Sequence, residues 1–168
     1  FIPRLLELLA ARNYTSVLCV DEPSRELLLG HRDVPELQRF LPFEPASILN
    51  EVAVNKIEFQ KWCESLGIDC PRSVCLTNAS EVEAAAKQFS YPFILKGALG
   101  AGGRCVDRIE CENDLKCVVE CNPDRQGWIL QELIEGDVGT TGFVAGDKGL
   151  YAVCSVINHV CMASGLGP

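Results

Sequence analysis

The stretch from Pro92 to Val106, PFILKGALGAGGRCV, constrains this chain most. Phe93, Ile94 and Leu95 form an apolar run that ends on Lys96, and Gly97, Gly100, Gly102 and Gly103 then strip the backbone of side chains. A strand that delivers a lysine into a glycine-rich loop suits phosphate, because bare backbone N–H groups approach phosphate oxygens closely and an ammonium neutralises them. Two phosphate motifs do not fit. The P-loop places its lysine after the glycines and follows it with Ser or Thr, whereas Lys96 precedes them. The dinucleotide fingerprint needs Gly-x-Gly-x-x-Gly at the start of a helix, but Gly100 and Gly102 are followed by Cys105 in the third place and then by a strand-like run. Taken alone, the stretch admits two readings, a phosphate cradle or a mobile glycine turn beside a surface lysine.

At 168 residues the chain is long enough for one well-cored domain or for two small lobes sharing a cleft. The formal net charge of -8 argues against nucleic acid as a partner, since binding a phosphate backbone needs a basic face. A nucleotide needs only a few lysines and backbone amides. No apolar run approaches the length that spans a bilayer, and the opening FIPRLL lacks the organisation of a signal peptide. The first residue is not methionine and the last four are Gly-Leu-Gly-Pro, so both ends are expected to have been cut from something longer. Ten cysteines occur without a Cys-x-x-Cys pair; the close spacings are Cys70/Cys75 and Cys117/Cys121, and neither histidine, His31 or His159, adjoins them. No metal ligand is assigned on that spacing. The thiols are expected reduced and buried in periodic segments, as in a cytoplasmic protein.

Ile2, Leu5, Leu6 and Leu9 follow a helical stripe, and Thr15 to Val20 reads as a short strand closed by Asp21-Glu22-Pro23. Asp21 reads as a solvated turn residue, and residues 24–43 read as short helices and turns. Asn55 and Glu58 have capping-box spacing ahead of a helix whose stripe is Phe59, Trp62, Cys63 and Leu66 and which stops at Gly67. Arg72 to Leu76 is extended. A second helix is read with Ser80 as cap and Glu83 closing the box, and Tyr91-Pro92 hands over to the lysine strand. Val106 to Cys111 returns as a strand, Glu112 to Cys121 is helical with Leu115, Val118 and Val119 inward, and Trp128 to Ile134, WILQELI, is the next strand. Thr140 to Ala145 and Leu150 to Ile157 flank Gly146-Asp147-Lys148-Gly149, a hairpin signal. The pattern is α+β with a mixed, largely antiparallel sheet, because several connections are too short for a parallel crossover.

Taken in order, Lys56 opening a helix, Gly67-Ile68 with Pro71, Tyr91-Pro92 before a strand ending in Lys96, the glycine loop, Val106, QELIEG and a hairpin resemble the nucleotide-binding half of the ATP-grasp superfamily. The resemblance covers Asn55 to about Ile157. It divides the chain into 1–45, the end of a preceding α/β domain; 46–127, the small lobe with its glycine loop; and 128–168, the incomplete start of a second lobe. By position, Lys56 and Lys96 match the two basic residues that hold the ATP phosphates, and Gly100, Ala101, Gly102 and Gly103 match the loop that closes over them. The linker Gln131-Glu132-Leu133-Ile134 matches the segment that reads the adenine edge through the C=O of Glu132 and the N–H of Ile134. A lysine in the first helical turn opposes the macrodipole, and one at the end of an apolar run is costly to bury without an anionic partner, so both positions ask for a reason.

Three departures qualify the resemblance. Cys105 stands where the family loop carries another glycine. The ribose-binding carboxylate expected after the QELIEG strand is replaced by Val138 and Gly139, with Asp137 or Glu135 as substitutes. The acidic residues and asparagine that hold Mg2+, and an arginine for the transferred phosphoryl group, fall on later strands, beyond Pro168; Asp147 and Asn158 do not replace them. The resemblance thus implies the ATP-binding part of an ATP-dependent ligase, C-terminally truncated and inactive by itself. It would join a small carboxylate to an amine or other nucleophile through an acyl phosphate, with ATP and Mg2+ as cofactors. The competing expectation is a non-catalytic nucleotide-binding module that self-associates, as a homo-oligomer, through an exposed sheet edge. A reactive-cysteine redox protein finds no Cys-x-x-Cys or Cys-His pairing to support it.

Overall fold

The computed structural model describes residues 1–41, 43–100, 105–125, 127–137, 139–146 and 148–157. The chain forms two compact units, Phe1–Asp69 and Cys70–Pro168.

The first unit carries helices α1 (Ile2–Ala11), α2 (Glu22–Leu29), α3 (Pro35–Gln38), α4 (Leu49–Val52) and α5 (Lys56–Ser65). Ile2 and Leu9 of α1 close on Leu28, Leu37 and Phe40, so the helical stripe finds its partners on the short helices that follow. Asp21 caps α2: one carboxylate oxygen accepts from the Ser24 N–H at 2.8 Å and the other from the Ser24 hydroxyl at 3.0 Å. These bonds, the backbone one first, hold its carboxyl below the ordinary aspartate range. Asn55 caps α5 through Oδ1, which accepts from Ile57 N–H at 2.9 Å. The helix ends in a Schellman turn. Gly67, at φ +69°, donates to Glu64 C=O, and Ile68 donates to Cys63 C=O.

One expected element is missing. Residues 15–20 form no strand, and Leu18 and Val20 are exposed at 85% and 87%. The β-rich composition is there, but a strand needs a neighbour to satisfy its backbone groups, and none pairs with this segment among the described residues.

The second unit is built on a four-stranded antiparallel sheet, β1 (Ser73–Leu76), β2 (Phe93–Gly97), β3 (Val106–Ile109) and β4 (Trp128–Glu132), in the order β1-β4-β2-β3. A 3-10 turn (Ala79–Glu81), α6 (Val82–Ala86) and α7 (Glu112–Cys121) accompany it. Val82, Ala85, Phe89 and Leu115 cover Phe93, Leu95, Ile109, Trp128 and Leu130, which puts alternate residues of each strand into one core. The predicted order of elements from residue 55 onward is the observed one. Three details shift. The capping box is Asn78 with Glu81, two residues before the Ser80–Glu83 pair, and β3 and β4 each end two residues early, at Ile109 and Glu132. Strand β4 pairs with both β1 and β2, and the compact units meet between Asp69 and Cys70.

The hairpin β5 (Gly139–Gly146) and β6 (Gly149–Ile157) forms a separate two-stranded sheet, with Asp147 of its turn outside the described residues. The thiols also depart from expectation. Cys63 is buried, whereas Cys111, Cys117, Cys121 and Cys154 are exposed: helix periodicity turns Cys117 and Cys121 away from the core stripe, Cys111 precedes α7, and Cys154 lies on the exposed β6. Among the described residues no helix is long and apolar enough to cross a membrane.

Candidate nucleotide site

Phe93 and Leu95 point into the helix-covered core, so the alternation of β2 places Ile94 and Lys96 on the opposite face. Lys96 is half-buried there, diagonally across from Gln131 of β4. Its ammonium donates to Gln131 Oε1 at 2.8 Å, Gln131 Nε2 donates to the Ser73 hydroxyl at 2.9 Å, and that hydroxyl donates to Pro71 C=O at 2.9 Å. A line of polar groups thus runs across three strands and fixes where the lysine head sits. The oxygen that receives the ammonium belongs to a neutral amide. It positions the lysine head on this face of the sheet.

The glycine loop leaves the sheet just beyond Lys96. Gly97 N–H donates to Cys105 C=O at 2.9 Å and Ala98 N–H to Gly127 C=O at 3.3 Å, so the base of the loop is anchored on both sides. Gly100 has φ +104°, and a side chain built on it would bring Cβ to 3.0 Å from Cys105 Sγ. Cys105, the departure from the glycine pattern, therefore occupies the space that the missing Gly100 side chain leaves open. Gly100→Ala is disfavoured by backbone angle and by contact. It is expected to cost more than about 1 kcal/mol, measured by urea unfolding, and adding Cys105→Ala should recover only the contact part. Ala101, Gly102 and Gly103, expected at the tip of the loop, lie outside the described residues.

Arg125 was not legible in the sequence. Its guanidinium is 4.6 Å from the Trp128 ring centroid, donates to Asp107 Oδ2 at 3.3 Å from two nitrogens, and is 9% exposed. Arg125 Cδ would lie 3.5 Å from a Cβ added at Gly97, so the arginine packs directly beneath the start of the glycine loop. It bridges β3 and the entry to β4 at the end of β2. Only the fold brings residues 97, 107, 125 and 128 together.

Of the other expected site residues, Gln131 and Glu132 lie with Lys96 in the sheet. Glu132 is held to Arg72 twice. Its Oε1 accepts from Arg72 N–H at 2.7 Å, and its own N–H donates to Arg72 C=O at 2.9 Å. Leu133 is half-buried just past β4, while Ile134, Glu135 and Asp137 are exposed. Val138 lies outside the described residues. Lys56 belongs to the first unit, as the first residue of α5 behind the Asn55 cap. Among the described residues no group of three or more His, Cys, Asp or Glu side chains is arranged to hold a metal ion. No Mg2+ ligand is therefore assigned to them.

A model of the ATP-grasp domain matches residues 53–164, and the chain belongs to that family. A D-alanine--D-alanine ligase of Xanthomonas axonopodis pv. citri (strain 306) is 29% identical over 165 residues, covering 90% of this chain and 49% of that protein. The chain thus spans about half the length of this curated relative. Among solved structures, the RimK domain protein ATP-grasp from Sphaerobacter thermophilus DSM 20745 superposes with a TM-score of 0.63 at 17% identity, over 85% of this chain and 55% of that one. D-alanyl-alanine synthetase A from Vibrio cholerae O1 biovar eltor str. N16961 gives 0.55 at 15% identity, over 71% and 38%. At these identities the two structures bear on the fold alone.

Proposed function

We propose that this chain is the ATP-binding part of an ATP-dependent ligase that joins a carboxylate to an amine or a comparable nucleophile. The observation that carries the reading is Lys96, delivered by β2 to the anchored base of a glycine loop and held by a neutral amide. Family membership supports it. In the proposed reaction a carboxylate oxygen attacks the γ-phosphorus of ATP and ADP leaves, giving an acyl phosphate. The nucleophile then attacks the acyl carbon, and inorganic phosphate leaves. In-line phosphoryl transfer needs positioning and charge neutralisation more than a protein nucleophile. Lys96 and Lys56 supply positive charge for the phosphates in this reading, with the loop at Gly100 to Gly103 adding backbone donors. The main chain of Glu132 to Ile134 reads the adenine, and Asp137 or Glu135 takes the ribose.

The test is phosphate release by the full-length protein, supplied with ATP, Mg2+ and pools of small carboxylates and amines. Release that requires both a carboxylate and an amine is the expected result. Absence of ATP turnover with every combination would overturn the ligase reading.

A second reading, a self-associating nucleotide-binding module, draws on the β5–β6 hairpin, where Phe143, Val144, Leu150, Tyr151 and Val153 are all exposed. It expects ATP binding without turnover, and a concentration-dependent mass in sedimentation.

A further inference from the structure

Cys117 and Cys121 stand four residues apart on α7, so their side chains emerge on one face, with Cβ atoms about 5–6 Å apart by helix geometry. Leu115, Val118 and Val119 turn α7 toward the core, and both cysteines are exposed on the other side. We propose that Cys117 and Cys121 form a two-thiolate binding site for a soft, thiophilic centre such as trivalent arsenic.

Two bonds to sulfur of about 2.3 Å, set at the pyramidal angle of trivalent arsenic, call for sulfurs roughly 3.3 Å apart, within reach of side chains whose Cβ atoms are about 5–6 Å apart on one helix face. Cys121 is the last residue of α7, where the backbone can adjust, and Asn122 seals the end by donating from Nδ2 to Val118 C=O at 2.8 Å. The neighbouring Cys121 thiol most of all, and the carboxylates of Glu120 and Asp114, hold the Cys117 thiol above its ordinary range, so it keeps its proton until an electrophile displaces it. The last turn carries no basic residue to compete. With no third donor grouped nearby among the described residues, a tetrahedral zinc centre is not assembled, and a species satisfied by two sulfurs fits better.

The binding step balances without redox chemistry. With a monoaryl arsenous oxide, two As–S bonds form, the As=O oxygen takes both thiol protons and leaves as water, and arsenic stays trivalent.

Phenylarsine oxide is the probe, titrated into the full chain kept reduced by a phosphine. The expected result is an adduct that bridges the two cysteines within one peptide, with affinity lowered at least tenfold by Cys117→Ser and equally by Cys121→Ser. Both serines lie on an exposed helix face, so circular dichroism should show an unchanged fold. Cys70 and Cys75 are the other close pair in sequence, and replacing both with serine should leave the affinity as it was. The proposal is overturned if the adduct maps to other cysteines, or if either serine substitution on α7 leaves the affinity intact.

Discussion

Trp128→Ala is expected to lower the unfolding free energy by about 3–5 kcal/mol, the range for deleting a large aromatic from a packed core. Trp128 is fully buried on β4, which pairs with neighbours on both sides, and it packs in the cluster that α6 and α7 close over the sheet. Its loss opens a void and removes the ring on which Arg125 rests, leaving a nearly buried guanidinium that, among the described residues, keeps its long contacts to Asp107. Urea unfolding followed by circular dichroism measures the effect. Trp128→Phe separates the two contributions, because it keeps a ring under Arg125 and removes an indole N–H that has no hydrogen-bond partner among the described residues. It should cost well under half as much. Equal losses in the two variants would mean that the indole itself, and neither the bulk of the core volume nor a ring under Arg125, decides stability here.

Lys96→Ala is expected to weaken ATP binding tenfold to a hundredfold, about 1.4–2.8 kcal/mol, with little loss of stability because the side chain is only half-buried. Calorimetric titration of the chain with ATP and Mg2+ is the measurement. Gln131→Leu makes the comparison informative. It leaves the lysine in place and removes the amide that positions it, so a smaller loss of affinity would assign to Gln131 the role of holding the ammonium on the sheet face. Unchanged binding in Lys96→Ala would move the phosphates away from this lysine and leave the glycine loop without its proposed cation.

Much of the second unit was legible because its signals are local. Apolar alternation ending on Lys96, the glycines that follow it and the stripe of Leu115, Val118 and Val119 each describe one element without reference to another. The failures share a cause. Thr15 to Val20 has the composition of a strand, but pairing is decided by what lies alongside, and nothing in the segment encodes a partner. The Asn78–Glu81 box was read two residues late because Ser80 and Glu83 have the same spacing, and the competition between two frames is settled by which backbone turn the fold requires. Within the candidate site, the lysine and the linker were visible as sequence. The bond from Lys96 to Gln131 spans 35 positions, and the stack of Arg125 under the loop base depends on β3 and β4 flanking β2; neither leaves a trace in a window of neighbouring residues.

The strand order β1-β4-β2-β3 also has a consequence during synthesis. The last strand of the sheet to leave the ribosome is the one inserted between the first two, with Ser73 of β1 waiting for Gln131 of β4. Until Trp128 to Glu132 emerge, β1 has no ladder and β2 is paired only with β3, so both present open edges while the intervening chain is added. The unit completes itself late and by insertion, a high-contact-order route that is slow and exposed to misassociation. The nascent chain is therefore most vulnerable over the interval that ends with the arrival of the segment carrying Gln131, when the lysine site and the sheet are closed by the same five residues.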